Sequence, residues 1–165
     1  METMTFYNTF VISDTHFGHA RIIELANRPF NSVDEMDHIL IESWNNVVGT
    51  SDDVIFGGDF MFHKKDTGIF DKLNGRKLLI LGNHDHSVTH QLSWTGILTR
   101  YETVMDGKKF VIDHYPLQDW NNRYHGSIHL YGHTHKTLEP EIENRHCICV
   151  ECQDYRPKNI KEFIK

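Results

Sequence analysis

Gly82-Asn83-His84-Asp85 stands directly after the aliphatic run of residues 78–81. An amide, an imidazole and a carboxylate in a row offer an oxygen donor, a proton carrier and a group able to orient it. The run before them is short enough for a fully buried strand, and in open α/β sheets chemistry collects just beyond the carboxyl ends of strands. The arrangement recurs along the chain. Apolar runs end in Asp14 and His16, in Asp59, in Asn83 and His84, in His114, and in His133 and His135. One such coincidence would mean little, but five such ends point to one site. Oxygen and imidazole donors without thiolates suit borderline to hard divalent ions such as Mn²⁺, Fe²⁺ or Zn²⁺. The set is too large for one ion and fits two that share a carboxylate. Two ions roughly 3.5–4 Å apart stabilise the attacking and leaving oxygens of an in-line displacement at phosphorus.

Strands of one sheet must align these ends. Residues 9–13, 54–56, 77–81, 109–112 and 127–131 read as strands, and the hairpin partner of the fourth is 101–105, across Asp106-Gly107. A last strand is expected from about 147 to 151. Residues 20–27 read as a short helix stopped by Arg28-Pro29. Ser32-Val33-Asp34-Glu35 has the spacing of a capping box, and the helix it opens puts Met36, Ile39, Leu40, Trp44, Val47 and Val48 on one face. That face is core. A polar helix from about 65 to 73, a small helix over 159–164, and a loop with one short helix over 86–100 complete the reading.

The 165 residues suggest one domain, 1–165, able to bury roughly two-thirds of its unfolded surface. Formal net charge is -6 and the 17 basic residues are scattered. A protein gripping a long nucleic acid carries a basic stripe, so that partner is not expected, whereas a small nucleotide is compatible. No apolar run is long enough to span a bilayer. The first five residues lack the basic and apolar regions of a secretory signal, so a cytoplasmic location and no membrane partner are expected.

Asp14-x-His16, Gly58-Asp59, Gly82-Asn83-His84-Asp85, His114 and Gly132-His133-x-His135, in that order, resemble the motifs of the calcineurin-like metallophosphoesterase family. The stretch Ser13-Asp14-Thr15-His16-Phe17-Gly18-His19, with Arg28-Pro29-Phe30, is similar to the small bacterial and phage members built of the catalytic domain alone. The resemblance implies an α/β fold of two packed mixed β-sheets flanked by helices, with a dimetal site at the strand ends. Asp14, His16 and His135 would hold the first ion, Asn83, His114 and His133 the second, and Asp59 would bridge them. The implied cofactors are two divalent ions, manganese ahead of iron, nickel or zinc. A hydroxide between the ions would attack phosphorus, His84 would protonate the leaving oxygen, and Asp85 would hold the His84 ring. The implied activity is hydrolysis of phosphodiesters in small soluble substrates of nucleotide or cyclic-nucleotide type. A phosphomonoesterase or nucleotide pyrophosphohydrolase is the near alternative. A non-catalytic scaffold of the same fold is the distant one, since such forms lose part of the catalytic set that is intact here.

Several residues carry two readings. His19 could touch a substrate phosphate or be a polar helix start. Arg28 could reach the same phosphate or form a surface ion pair. His63 could line the pocket or begin a solvated helix, and His38, His86, His90, His125, His129 and His146 read as surface or core histidines. Trp44 and Trp94 read as packing, and Trp120 could stack on a base or sugar. Asp113, before His114, could face away by strand alternation or support that histidine. Cys147, Cys149 and Cys152 could join His146 around zinc, but structural zinc ligands usually come from two separate knuckles, which favours thiols packed as small hydrophobes.

Overall fold

The structure, a computed structural model, describes residues 8–63 and 68–164. Among these residues nine strands form two sheets. They are β1 (Thr9–Ile12), β2 (Asp53–Phe56), β3 (Arg76–Ile80), β4 (Gly96–Leu98), β5 (Arg100–Met105), β6 (Lys108–Asp113), β7 (Ile128–Tyr131), β8 (Arg145–Cys147) and β9 (Lys158–Asn159). The helices are α1 (Ile22–Leu25), α2 (Val33–Asn45), α3 (Ile69–Lys72) and α4 (Ser87–His90). One sheet runs β4-β3-β2-β1-β9, parallel except for β9, and the other runs β5-β6-β7-β8, parallel except for β5. Both sheets are therefore mixed, and the architecture is an α/β sandwich.

Strand alternation builds the two cores. Val11, Ile55, Leu78 and Ile80 point inward to meet Phe110, Ile112, Ile128 and Leu130 of the second sheet. Their neighbours Ile12, Val54, Phe56 and Leu79 point outward and are covered by Met36, Leu40 and Trp44 of α2 and by Ile69 and Phe70 of α3. Strands buried on both faces have no polar side to display, which is why they read as continuous apolar runs. Ser32 caps α2, its side chain accepting from the Glu35 N–H at 3.1 Å. The box closes differently from the usual reciprocal pair: the Glu35 carboxylate accepts from the Asn31 N–H at 2.6 Å.

Three segments depart from the sequence reading. Residues 86–100 hold a strand, β4, besides the expected short helix. Three residues at a sheet edge, half-buried or exposed, carry too little pattern to be recognised. The strand expected from 147 to 151 is β8, which ends at Cys147, and Val150–Gln153 is instead a 3₁₀ turn held to the first strand end by Val150 N–H donating to Ser13. Asn159 ends β9 and caps a 3₁₀ turn, Ile160–Phe163. Of the polar helix expected from about 65 to 73, residues 65–67 lie outside those described, and the described helix is Ile69–Lys72. No helix among the described residues is long and apolar enough to cross a membrane.

Candidate dimetal site

The carboxyl ends of β1, β2 and β3 emerge side by side because these strands are parallel neighbours. Their loops are then tied together by backbone bonds: Asp14, His16 and Phe17 donate to Gly58, Asp59 and Phe60 at 2.9, 3.1 and 3.0 Å. From the second sheet, His114 follows the end of β6 and His133 and His135 follow the end of β7, with Gly132 N–H donating to His114 O at 3.0 Å.

Asp14, His16 and His135 form one triad of possible ion ligands, and Asp59, His114 and His133 a second. In the first, Asp14 Oδ1 is 3.7 Å from His16 Nε2 and 3.8 Å from His135 Nε2. Asp59 Oδ2 lies between the triads, 3.6 Å from His16 Nε2 and 3.6 Å from His114 Nε2. These spacings are too long for hydrogen bonds and close to the roughly 3–3.6 Å expected between donors about 2.1 Å from one ion. Asn83 Oδ1 completes the second group, 3.1 Å from His114 Nε2 and 3.0 Å from His133 Nδ1.

The buried atoms themselves argue for ions. Asp14 Oδ2 accepts from Ser13 Oγ (2.6 Å), His133 N (2.9 Å) and Cys149 Sγ (3.2 Å). Its other oxygen, and both ring nitrogens of His16, are buried with no hydrogen-bond partner. Leaving such groups bare costs on the order of 1–3 kcal/mol each, and a cation at this point relieves it. The residues fit a pair of divalent ions.

The electrostatics match. Burial alone would raise the Asp14 carboxyl, but the His16, His114 and His135 imidazoles outweigh it and hold the group well below the usual carboxylate range. Asp59 goes the other way, pushed up by burial and by the Asp14 charge. Burial lowers His133, with His114 beside it adding to the effect.

Backbone strain is concentrated here. Asp14, His16, Asp59, His133 and His135 all have left-handed backbone, at φ of 58°, 49°, 60°, 70° and 55°. Each such residue costs on the order of 1–3 kcal/mol and persists only where its surroundings over-determine it. The turn at the second motif is possible because Gly58, at φ 100°, has no Cβ; one would lie 2.5 Å from His114 Nδ1. Gly57 contributes its carbonyl, which accepts from His114 Nδ1–H at 2.8 Å and leaves Nε2 free to face the second triad.

His84 is half-buried, its ring 5.7 Å from that of His16, while its backbone N–H donates to Asp59 Oδ1 at 2.8 Å. His19 stacks on Phe62 at 4.1 Å beside the same ring of His16, and burial lowers it.

Two expected roles are corrected. Asp85 does not hold the His84 ring. Its two oxygens accept the backbone N–H groups of Asp59 (2.9 Å), Gly82 (2.8 Å) and Phe60 (3.0 Å), so it fastens the second and third motif loops together. Arg28 is neither a phosphate contact nor a surface ion pair. It is 4% exposed and spends its guanidinium on Asp14 O, Thr15 O and Glu151.

Trp120 is buried against His129 and offers no face to a base. Asp113 faces away, accepting from Arg100 Nε and Tyr115 N. The three thiols cluster with Tyr131 and Leu138, and no zinc-type grouping includes them among the described residues. Sequence reasoning missed Glu151, which holds His135 Nδ1 at 2.9 Å. It also missed Tyr115, an exposed ring 4.8 Å from His133. Glu151 follows the apolar run 147–150 and carried the same strand-end signal as the other donors, whereas no such signal marked Tyr115.

Two ligand groups sharing one carboxylate at the joined ends of two mixed sheets are the arrangement that the resemblance to the calcineurin-like metallophosphoesterase family implies. The chain is 32% identical to the uncharacterized protein MJ1445 of Methanocaldococcus jannaschii, over 98% of this chain and 92% of that protein. It is 31% identical to the Gene 66 protein of Mycobacterium phage L5, over 84% of this chain and 81% of the phage protein. Among solved structures it is similar to AQ665 of Aquifex aeolicus, a protein of unknown function. The TM-score there is 0.77 at 25% identity, covering 94% and 96% of the two chains. No protein-family model matches the chain.

Proposed function

We propose that the protein is a dimetal-dependent phosphoesterase that hydrolyses phosphodiester bonds of small substrates of nucleotide or cyclic-nucleotide type. The observation that carries this reading is Asp59 Oδ2, placed 3.6 Å from an imidazole nitrogen of each triad. A carboxylate shared in this way suits two ions that would act on one phosphorus. When bound, the ions supply a nucleophile at neutral pH and neutralise charge on the phosphoryl oxygens.

The chain does the rest. Asp14, His16 and His135 would hold one ion, and Asn83, His114 and His133 the other. His84 stands beside the centre, partly open to solvent, where it donates a proton to the leaving oxygen. His19, stacked on Phe62, lines the same edge and contacts a substrate phosphate oxygen. Manganese is the ion proposed first, the cytoplasm is the proposed location, and no long nucleic acid or membrane is a proposed partner, in keeping with the net charge of -6.

The experiment compares metal-stripped protein with and without Mn²⁺ on bis-p-nitrophenyl phosphate and p-nitrophenyl phosphate at matched concentration. Metal-dependent turnover of the diester, with the monoester slow, is the expected result. Turnover of the monoester alone replaces the reading with a phosphatase. Two bound ions and no turnover of either overturns diester hydrolysis of simple substrates and points to the scaffold role.

A further inference from the structure

Glu151 lies on the 3₁₀ turn after β8, 16 residues beyond His135 and 123 beyond Arg28, yet it joins them. One oxygen, Oε1, accepts from Arg28 Nε at 2.8 Å, Arg28 Nη2 at 2.8 Å and His135 Nδ1 at 2.9 Å. The same guanidinium donates onward to Asp14 O at 2.6 Å and Thr15 O at 2.8 Å. The Arg28 side chain is fully buried and that of Glu151 only 9% exposed. A buried ion pair is maintained against a desolvation cost of several kcal/mol per ion, so this one is not a casual contact.

Its geometry has a definite consequence. A carboxylate oxygen paired with a guanidinium can only accept, so His135 carries its proton on Nδ1. The lone pair is then on Nε2, the nitrogen 3.8 Å from Asp14 Oδ1. The strut also clamps the backbone of Asp14 itself. Among the described residues the second triad has no such carboxylate: His114 is oriented there by the neutral carbonyl of Gly57. The two halves of the centre are supported by different chemistry.

Resting on the dimetal reading, we propose that Glu151, braced by Arg28, is a positioning residue for the first ion alone. It fixes the tautomer and ring of His135 and so supports the Asp14/His16/His135 half of the centre and not the other half. Carboxylates behind a ligating histidine typically contribute 10–100-fold in metal affinity.

The test is a calorimetric Mn²⁺ titration of metal-stripped wild type, Glu151→Gln, His135→Ala and the combination. Wild type is expected to take up two ions. Glu151→Gln should weaken one binding event about 10–100-fold and leave the other within about twofold. His135→Ala should remove that same event, and adding Glu151→Gln to it should change nothing more.

Unaltered uptake of both ions by Glu151→Gln overturns the proposal, as does an equal loss from both events. So does a further loss in the His135→Ala background, which would place the effect elsewhere. Wild type that binds no Mn²⁺ overturns the dimetal reading and this inference with it. If Glu151→Gln loses its cooperative thermal transition because Arg28 is left unpaired, Arg28→Met with Glu151→Gln removes both charges. That variant must show the same one-sided loss.

Discussion

The carboxylate of Asp85 accepts the backbone N–H of Asp59 at 2.9 Å, so the residue placed between the two triads is held from behind by the residue that follows His84. With its further bonds to Gly82 and Phe60, one side chain sets the spacing of two motif loops. Asp85→Ala leaves three N–H groups, two of them buried and that of Gly82 partly so, without an acceptor. It is expected to lower stability by roughly 3 kcal/mol or more. Urea unfolding checks this, and Mn²⁺ affinity should fall in parallel. A variant with full stability and ion binding but slow turnover would restore the role of Asp85 as a holder of the His84 ring.

His84→Ala should behave in the opposite way. The ring touches the centre's edge, and only its backbone N–H bonds to Asp59. Ion content and melting temperature should stay unchanged while turnover falls about 10²–10⁴-fold, a usual share for general acid catalysis. The deficit should shrink for leaving groups that need no proton, such as p-nitrophenolate. Loss of ions in this variant would defeat the assignment.

Asp59→Asn tests the shared carboxylate. Oδ2 faces an imidazole nitrogen of each triad at 3.6 Å, so removing its charge weakens both ions together. Elemental analysis should find well under one ion per chain after gel filtration, with activity lost in proportion. Retention of two ions would exclude a bridging role.

Gly58→Ala tests the turn that carries Asp59. At φ 100° an L side chain is strained, and the new Cβ would lie 2.5 Å from His114 Nδ1, where the Gly57 carbonyl now binds. Destabilisation of about 2–4 kcal/mol is expected, together with weaker uptake of the second ion. Thermal melting and Mn²⁺ titration read the two effects separately.

His129 sets an acid limit on stability away from the centre. It is fully buried; its Nδ1–H donates to Val111 O at 2.9 Å and its Nε2 accepts from Leu117 N–H at 3.0 Å. Burial lowers its pKa below the usual imidazole value of 6.5. The unfolded chain therefore binds this proton at a pH where the folded protein does not. The stability it contributes is complete above about pH 6.5 and is lost as pH falls from there through the folded pKa. Melting temperature should decline over that window in metal-free protein, and less steeply in His129→Asn. Parallel curves for the two proteins would assign the acid sensitivity to other groups.

The donors of the centre were legible in the chain because a strand end is a local feature. An aliphatic run followed by Asp, Asn or His needs only the period of a buried strand and the habit of α/β sheets to be recognised. The helix that covers the first sheet was legible for the same reason, since its cap and its Met36, Leu40, Trp44 stripe lie within one element. What turns each donor toward the centre is not local. His114 is aimed by a carbonyl 57 residues away, His135 by Glu151, and Asp59 by a carboxylate 26 residues on that sequence reasoning had given to His84. Arg28 looked like a surface cation until the closing of the sandwich buried it beneath the first motif. Side-chain type and spacing thus determined which atoms could hold ions. Only the packing of two sheets decided which lone pairs face one another, because hydrogen-bond partners across a sandwich are neighbours in space and not in sequence.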